Sequence, residues 1–332
     1  MQLPELVCPA GNLPALKAAV DHGADCVYLG LNNDTNARHF AGLNFDAASA
    51  REGLRYARQR GVKVLLAINT FAQAGEEARW RAAVDEAAAL AVDAVILADF
   101  GLLDYASQRH PQLRLHLSVQ GSASNHEAIN LAQRAFGVQR AVLPRVLSLE
   151  QVAQVMAGTT VEIEVFGFGS LCVMAEGRCH LSSYATGESP NTHGVCSPAR
   201  HVRWLPHARG TEARLNGVLI DDFSHDEPRG YPTLCKGRFH VGDSLGYALE
   251  EPTSLNVLPL LPRLIDMGVA AIKVEGRQRS PAYVAQVTRT LRQALDEARR
   301  PGWQPPAALM QQLGRVSEGQ QVTLGAYSRP WK

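Results

Sequence analysis

Eight short apolar runs punctuate the chain, and most are followed by a stretch with helical spacing. They are LVCPAG from residue 6, CVYLG from 26, VKVLLAINT from 62, AVILADF from 94, LRLHLSVQ from 113, RAVLPR from 140, VEIEVFGFG from 161 and AAIKVEGR from 270. Nearly continuous apolar runs, rather than strict alternation, mark strands covered on both faces. Between them, NLPALKAAVDHGA, EEARWRAAVDEAAALAV, NHEAINLAQRAFG and SLEQVAQVMAG repeat apolar residues every three or four positions, as amphipathic helices do. Strands alternating with helices predict a parallel sheet, and eight such units predict an α/β fold, a closed (β/α)8 TIM-type barrel of about 250 residues. An open doubly wound sheet would place a Gly-rich phosphate loop after its first strand, and CPAGN lacks the G-x-G-x-x-G pattern.

The regular spacing fails once, between Gly169 and Ala270. The interval is far longer than a connection of a few residues plus a helix, so it predicts an insertion between strands 7 and 8. The expected division is 1–169 for barrel strands 1 to 7, 170–250 for a cysteine-rich insertion, 251–300 for the last strand and its helices, and 301–332 for a C-terminal tail. The segment SLNVLPLLPRLIDMG, from residue 254, reads as a helix.

Active sites of such barrels lie at the C-terminal ends of the strands. Those ends carry Asn69, Asp99, Gln120, Arg145, Glu275 and Arg277, and the loop after strand 2 adds Asn36, Arg38 and His39. Together they predict a polar mouth in which Arg38, Asn69, Glu275 and Arg277 are the candidate catalytic residues. Arg38, Arg145 and Arg277 suit forked hydrogen bonds to a carboxylate. An ion pair between Arg277 and Glu275 is the structural alternative. His116, between Leu115 and Leu117, reads as a wall histidine.

Composition narrows the chemistry. Of 332 residues, 46% are hydrophobic and 20% charged, which excludes a disordered chain. The net charge of +1 lacks the basic surplus of nucleic-acid binders. No apolar run approaches the roughly 18 residues of a membrane helix, and MQLPELVCPAGN has no signal-peptide pattern. The expectation is a cytoplasmic protein whose thiols stay reduced, so six cysteines point to metal binding or catalysis. Cys8 and Cys26 sit in early strands and read as small buried hydrophobes. Cys172, Cys179, Cys196 and Cys235 form C-x6-C-x16-C-x38-C inside the insertion. Four thiolates satisfy zinc or an iron–sulfur cluster. No C-x2-C knuckle occurs, and dispersed ligands suit the separated iron corners of a cubane. Gly169, Gly177 and Gly194 permit tight turns there, while Pro198 and Pro232 stiffen the approach. On spacing alone, a cluster, zinc and unliganded thiols all stay open.

The stretch EVFGFGSLCVMAEGRCHLS resembles the signature of the collagenase-like peptidase family, with Glu164, Phe166, Gly169, Ser170, Leu171, Cys172, Gly177, Cys179, Leu181 and Ser182 filling every fixed position. CPAGN, GADCVYLG and IKVEGR resemble further family landmarks. DTNARHFAGLNF, YPTLCKGR, EEPTSLN and EGRQRSPAYV are similar to family members of ubiquinone biosynthesis. That resemblance implies a 4Fe-4S cluster on Cys172, Cys179, Cys196 and Cys235. It implies a heterodimer with a homologous cluster protein, UbiV, and O2-independent hydroxylation of ubiquinone precursors. Relatives that hydroxylate RNA bases make prephenate the oxygen donor by analogy. RNA-base hydroxylation is the alternative; relatives of that kind tend to carry a further C-terminal domain, and the near-neutral charge also argues against a nucleic-acid partner. Peptidase chemistry has less behind it. The chain is read as having no G-x-S-x-G elbow and no H-E-x-x-H helix. Cys179 could pair with His180 or His193, but chain neighbours seldom make a working dyad. A non-catalytic scaffold is the third class.

Overall fold

A computed structural model of the chain describes residues 3–39, 42–174, 176 and 179–329, apart from the side chains at 192 and 193. The first seven strands are β1 (Glu5–Pro9), β2 (Cys26–Leu29), β3 (Lys63–Ile68), β4 (Ala94–Leu97), β5 (Leu115–Leu117), β6 (Arg140–Val142) and β7 (Glu162–Ser170). Helices α1 (Leu13–Asp21), α2 (Ala47–Arg58), α3 (Glu77–Ala89), α4 (Phe100–Arg109), α5 (His126–Phe136) and α6 (Leu149–Ala157) follow the first six in turn. The insertion holds α7 (His180–Thr186), α8 (Pro190–His193), an antiparallel sheet of β8 (Val202–His207), β9 (Gly210–Leu215) and β10 (Val218–Ser224), and a hairpin of β11 (Arg238–Val241) and β12 (Ser244–Tyr247). Strand β13 (Ser254–Asn256) leads through α9 (Leu261–Met267) to β14 (Ala271–Val274), then α10 (Pro281–Glu297), α11 (Ala307–Gly314) and β15 (Val322–Thr323). β14 pairs in parallel with both β1 and β7, which closes an eight-stranded TIM-type barrel.

Local chemistry sets the helix starts. Asn12, Asp46 and Ser148 accept backbone N–H bonds at the first turns of α1, α2 and α6. The outward strand faces and inward helix faces share one core, including Leu16, Leu66, Ile68, Leu97 and Leu103. Trp80 is buried there and donates its indole N–H to Thr70 Oγ1 at 2.9 Å. Cys8 and Cys26 are fully buried, as expected of small hydrophobes.

The barrel interior is less apolar. A small cluster of Val7, Leu65, Ala67, Ala94, Ile96 and Ala271 shares it with charged groups. Glu164, which is 0% exposed, accepts from Lys273 Nζ at 2.6 Å and from Arg140 Nη1 at 3.5 Å. Arg140 also donates to Glu5 at 2.7 Å and to Glu162 at 2.8 Å. His116 is a buried wall residue, as expected. Its Nε2 accepts from Arg114 Nε at 3.1 Å, while Nδ1 has no partner among the described residues. Burial, then nearby Arg140, holds its pKa well below the ordinary value.

Two segments differ from the sequence expectation. Of SLNVLPLLPRLIDMG only Leu261–Met267 is α-helical, because Pro259 and Pro262 prevent a helix running through them. Ser254–Asn256 instead forms β13, antiparallel to the end of β7 with Ser254 opposite Ser170. Residues after 300 are no loose tail. Leu309 and Leu313 enter the core, β15 extends β13, and the Tyr327 hydroxyl donates to Phe166 O at 3.1 Å. β7 therefore forks, pairing with β14 over Glu164–Phe168 and with β13 beyond. Gly169 is required at the fork: its φ is +126°, and an added Cβ would lie 2.7 Å from Glu275 Cβ. Among the described residues no helix is long and apolar enough to cross a membrane.

Removing one partner of a buried ion pair leaves an uncompensated charge. Lys273→Met should therefore cost about 3 kcal/mol or more in denaturant unfolding, and Glu164→Leu combined with Lys273→Met should recover part of that loss.

Candidate functional site

The C-terminal strand ends frame a pocket of about 600 Å³, its open side included. Arg38, Asn69, Gln120, Arg145, Glu275 and Arg277 line it, as the sequence suggested. Asp99 does not. Its carboxylate caps α4, accepting from Gly101 N at 2.8 Å and Leu102 N at 3.2 Å, and also from Ala72 N at 3.1 Å. His39 Nδ1 is tied to Asn36 O at 2.8 Å.

Arg277 is 5% exposed and donates from Nη1 to Asn36 Oδ1 at 2.6 Å. Asn36 is itself fixed, donating to Leu31 O at 3.1 Å and Asn44 Oδ1 at 2.9 Å. The Arg277–Glu275 ion pair does not form. Among the described residues Arg277 has no carboxylate within ion-pair distance, and the Glu275 carboxylate has no hydrogen-bond partner. Burial lowers the Arg277 pKa to about 10, so the side chain stays charged at neutral pH. A buried cation that faces the pocket with no carboxylate bonded to it, Glu275 acting on it only at longer range, is poised for an anionic ligand.

The other two arginines are engaged differently. Arg38 donates from Nη1 to Gly194 O and has no carboxylate partner among the described residues. Arg145 departs from the expected role of a free carboxylate fork. It is already forked onto Glu176, at 2.9 Å from Nε to Oε1 and 2.7 Å from Nη2 to Oε2. It also donates to Ser170 O, and its guanidinium lies 4.3 Å from the Phe166 ring centre. Asn69 Oδ1 accepts from Ala37 N at 3.1 Å, which fixes the Arg38 loop. Gln120 Oε1 is buried with no partner among the described residues.

Sequence reasoning missed Lys273, Tyr28, Phe166 and Glu176, all of which line the pocket. Lys273 Nζ sits 4.2 Å from the Tyr28 ring centre. A signal existed, because Lys273, Glu275 and Arg277 alternate along one strand and its continuation and so share a face. Glu176 had none, since only the fold brings it to Arg145.

All four cysteines of the insertion are half-buried, and none forms a disulfide. Burial pushes the Cys196 thiol up to about 12, with further contributions from Cys235, Cys172 and Cys179. Burial, then Glu176, pushes Cys172 up to about 11, and Cys235 adds to it. Cys196 thus lies within electrostatic reach of the other three sulfurs, and a bound cation would favour the ionised thiolates. Among the described residues no three His, Cys, Asp or Glu side chains gather tightly enough for a single ion. Thiolate is a soft donor that zinc and an iron–sulfur cluster both take, so the donor set fits either. Gly177 lies outside the described residues.

The cysteine loops are tied to the barrel mouth. Lys236, next to Cys235, donates to Ser170 Oγ at 3.2 Å and pairs with Glu318 at 2.5 Å. Glu176 lies between Cys172 and Cys179, and Gly194 lies two residues before Cys196. No peptidase dyad forms among the described residues: Cys179 Sγ contacts Ser182 Oγ at 3.3 Å, and His180 is exposed at the start of α7. The His193 side chain lies outside the described residues. Gly242-Asp243-Ser244-Leu245-Gly246 does have G-x-S-x-G spacing, contrary to the reading above. However, Gly242 and Asp243 make the turn between β11 and β12, and Ser244 begins β12 and is exposed, so the string is not a strand-to-helix elbow.

Fold and site together define a TIM-barrel protein with an arginine-walled mouth, flanked by an insertion that carries four thiols. A model of Peptidase family U32 matches residues 11–328, and the chain belongs to that family. An uncharacterized protease of Methanocaldococcus jannaschii is 32% identical over 301 residues, covering 89% of this chain and 66% of its own length. The tRNA hydroxylation protein P1 of Bacillus subtilis is 31% identical over 297 residues, covering 88% and 63%. The 23S rRNA 5-hydroxycytidine C2501 synthase of Escherichia coli is 30% identical over 292 residues, covering 88% and 39%. The chain spans less than two thirds of the length of these relatives.

A Cβ at Gly194 would lie 1.8 Å from Ala37 O, at a φ of +77°. Gly194→Ala should therefore cost about 2 kcal/mol or more in stability and speed the reaction of Cys196 with a thiol reagent in the metal-free protein.

Proposed function

We propose that the chain is the iron–sulfur subunit of an O2-independent hydroxylase acting on ubiquinone precursors, corresponding to the ubiquinone biosynthesis subunit UbiU and working with the homologous subunit UbiV. The observation that carries the reading is a buried, carboxylate-free Arg277 at the mouth of a barrel whose insertion presents four thiols. Relatives named for tRNA and rRNA hydroxylation support the reaction class.

In this reading Cys172, Cys179, Cys196 and Cys235 hold a 4Fe-4S cluster, which supplies one-electron chemistry when bound. Arg277 and Arg38 bind the carboxylate of an acidic ligand, either the precursor or a prephenate-like oxygen donor. Glu275 and Gln120 Oε1 accept hydrogen bonds from hydroxyl groups, and the Tyr28 and Phe166 rings wall an aromatic ring. Arg145 keeps its bonds to Glu176 and holds the pocket wall in place.

The names of those relatives favour a second reading, RNA-base hydroxylation. The net charge of +1 favours the quinone precursor. A peptidase would need a nucleophile and base within reach, and the described residues supply no such pair.

The two hydroxylase readings separate in cells that lack the protein and are grown without oxygen. Ubiquinone should fall while hydroxylated nucleosides in tRNA and rRNA stay unchanged, and the reverse pattern would establish the RNA reading. A charged hydrogen bond is worth about 1.5–3 kcal/mol, so restoring the cells with Arg277→Ala should leave ubiquinone about tenfold or more below the wild-type level.

A further inference from the structure

Two mouth arginines are bonded on one side to the pocket and on the other to the cysteine segment. Arg38 lines the pocket and donates to Gly194 O, two residues before Cys196. Its backbone N–H donates to Asn36 Oδ1 at 3.1 Å, the same oxygen that receives Arg277 Nη1 at 2.6 Å. Arg145 is neutralised by Glu176, whereas Arg38 has no carboxylate partner among the described residues. Arg38 is thus a cation shared by the pocket and the Cys196 loop, and among the described residues no carboxylate bonds to it.

We propose that Arg38 couples ligand binding in the mouth to the redox state of the thiolate-bound cluster. The inference rests on the readings above of a carboxylate pocket and of a cluster on the four cysteines. A carboxylate bound between Arg38 and Arg277 offsets the positive charge facing the Cys196 loop. It also competes with Gly194 O for the Arg38 guanidinium. Both effects make the cluster harder to reduce, because the added electron meets less positive charge. Coupling between sites is reciprocal. If the carboxylate lowers the reduction potential, reduction weakens carboxylate binding by the same factor. The electron-rich state then releases the acid, and the oxidised state retains it. The added electron comes from an external one-electron donor, such as a low-potential dye in the test, and no bond is made or broken in the step.

The test uses the full chain carrying its reconstituted cluster, with malonate as the probe. Reduction potentials are measured anaerobically against redox dyes, with and without malonate, while calorimetry gives malonate affinity for the oxidised and reduced forms. Malonate should lower the potential and bind the oxidised form about fivefold or more tightly. At malonate concentrations that calorimetry shows to saturate the variant through Arg277, Arg38→Gln should abolish the shift at unchanged iron content. Arg38→Lys, which keeps the charge but loses the fork, should give a smaller shift and decides the matter if the Gln variant loses iron. Malonate binding with no change in potential would overturn the coupling and leave the pocket reading intact. An undiminished shift in Arg38→Gln, or a full-size one in Arg38→Lys, would overturn the role of Arg38. Failure of malonate to bind the oxidised wild-type protein would overturn the carboxylate reading of the mouth and, with it, this inference.

Discussion

The site depends on a buried ion pair, Arg145 with Glu176. Both side chains are less than a tenth exposed, and neither charge could stay there alone without a cost of several kcal/mol. Arg145 follows β6, while Glu176 lies between Cys172 and Cys179. The bond therefore fixes the cysteine segment against the pocket wall. Phe166 stacks under the guanidinium and Ser170 O takes another of its N–H groups, which holds the fork in one orientation. Because Arg145 is neutralised in this way, the free positive charge of the mouth falls to Arg277 and Arg38.

The forked strand β7 serves the same end. Its first half closes the barrel against β14, and its last residues leave the barrel to pair with β13. Cys172 follows directly, at the point where the chain leaves the strand. The chain after residue 300 completes the arrangement: β15 supports β13, and Glu318 holds Lys236 beside Cys235. Barrel, insertion and C-terminal segment thus meet at the cysteines. The axial ion pairs below the pocket do a related job, since Glu164 positions Lys273 under the Tyr28 ring.

Much of this was legible in the chain. All eight barrel strands appear as apolar runs, because burial on both faces leaves little room for polar residues. The spacing of the cysteines and the polar strand ends also marked the two halves of the site. Other features were hidden for physical reasons. β13 lies in a leucine-rich stretch whose pattern fits helix and strand alike, and only its pairing with β7 decides between them. Arg145 looks like any arginine at a strand end; Glu176, which neutralises it, is 31 residues away in sequence. Asp99 looked like a mouth residue, yet its place before α4 makes it a helix cap. Lys273 is masked by the isoleucine and valine on either side, although they point to the opposite face.

In the proposed function, four thiolates and an arginine-walled pocket form one redox site. Its most direct test is the iron, acid-labile sulfide and zinc content of anaerobically purified protein, together with the visible absorption spectrum, for the wild type and Cys196→Ala. About four irons and four sulfides per chain are expected, with a broad visible absorption that is lost in the variant. Stoichiometric zinc without sulfide, or no metal at all, would contradict it.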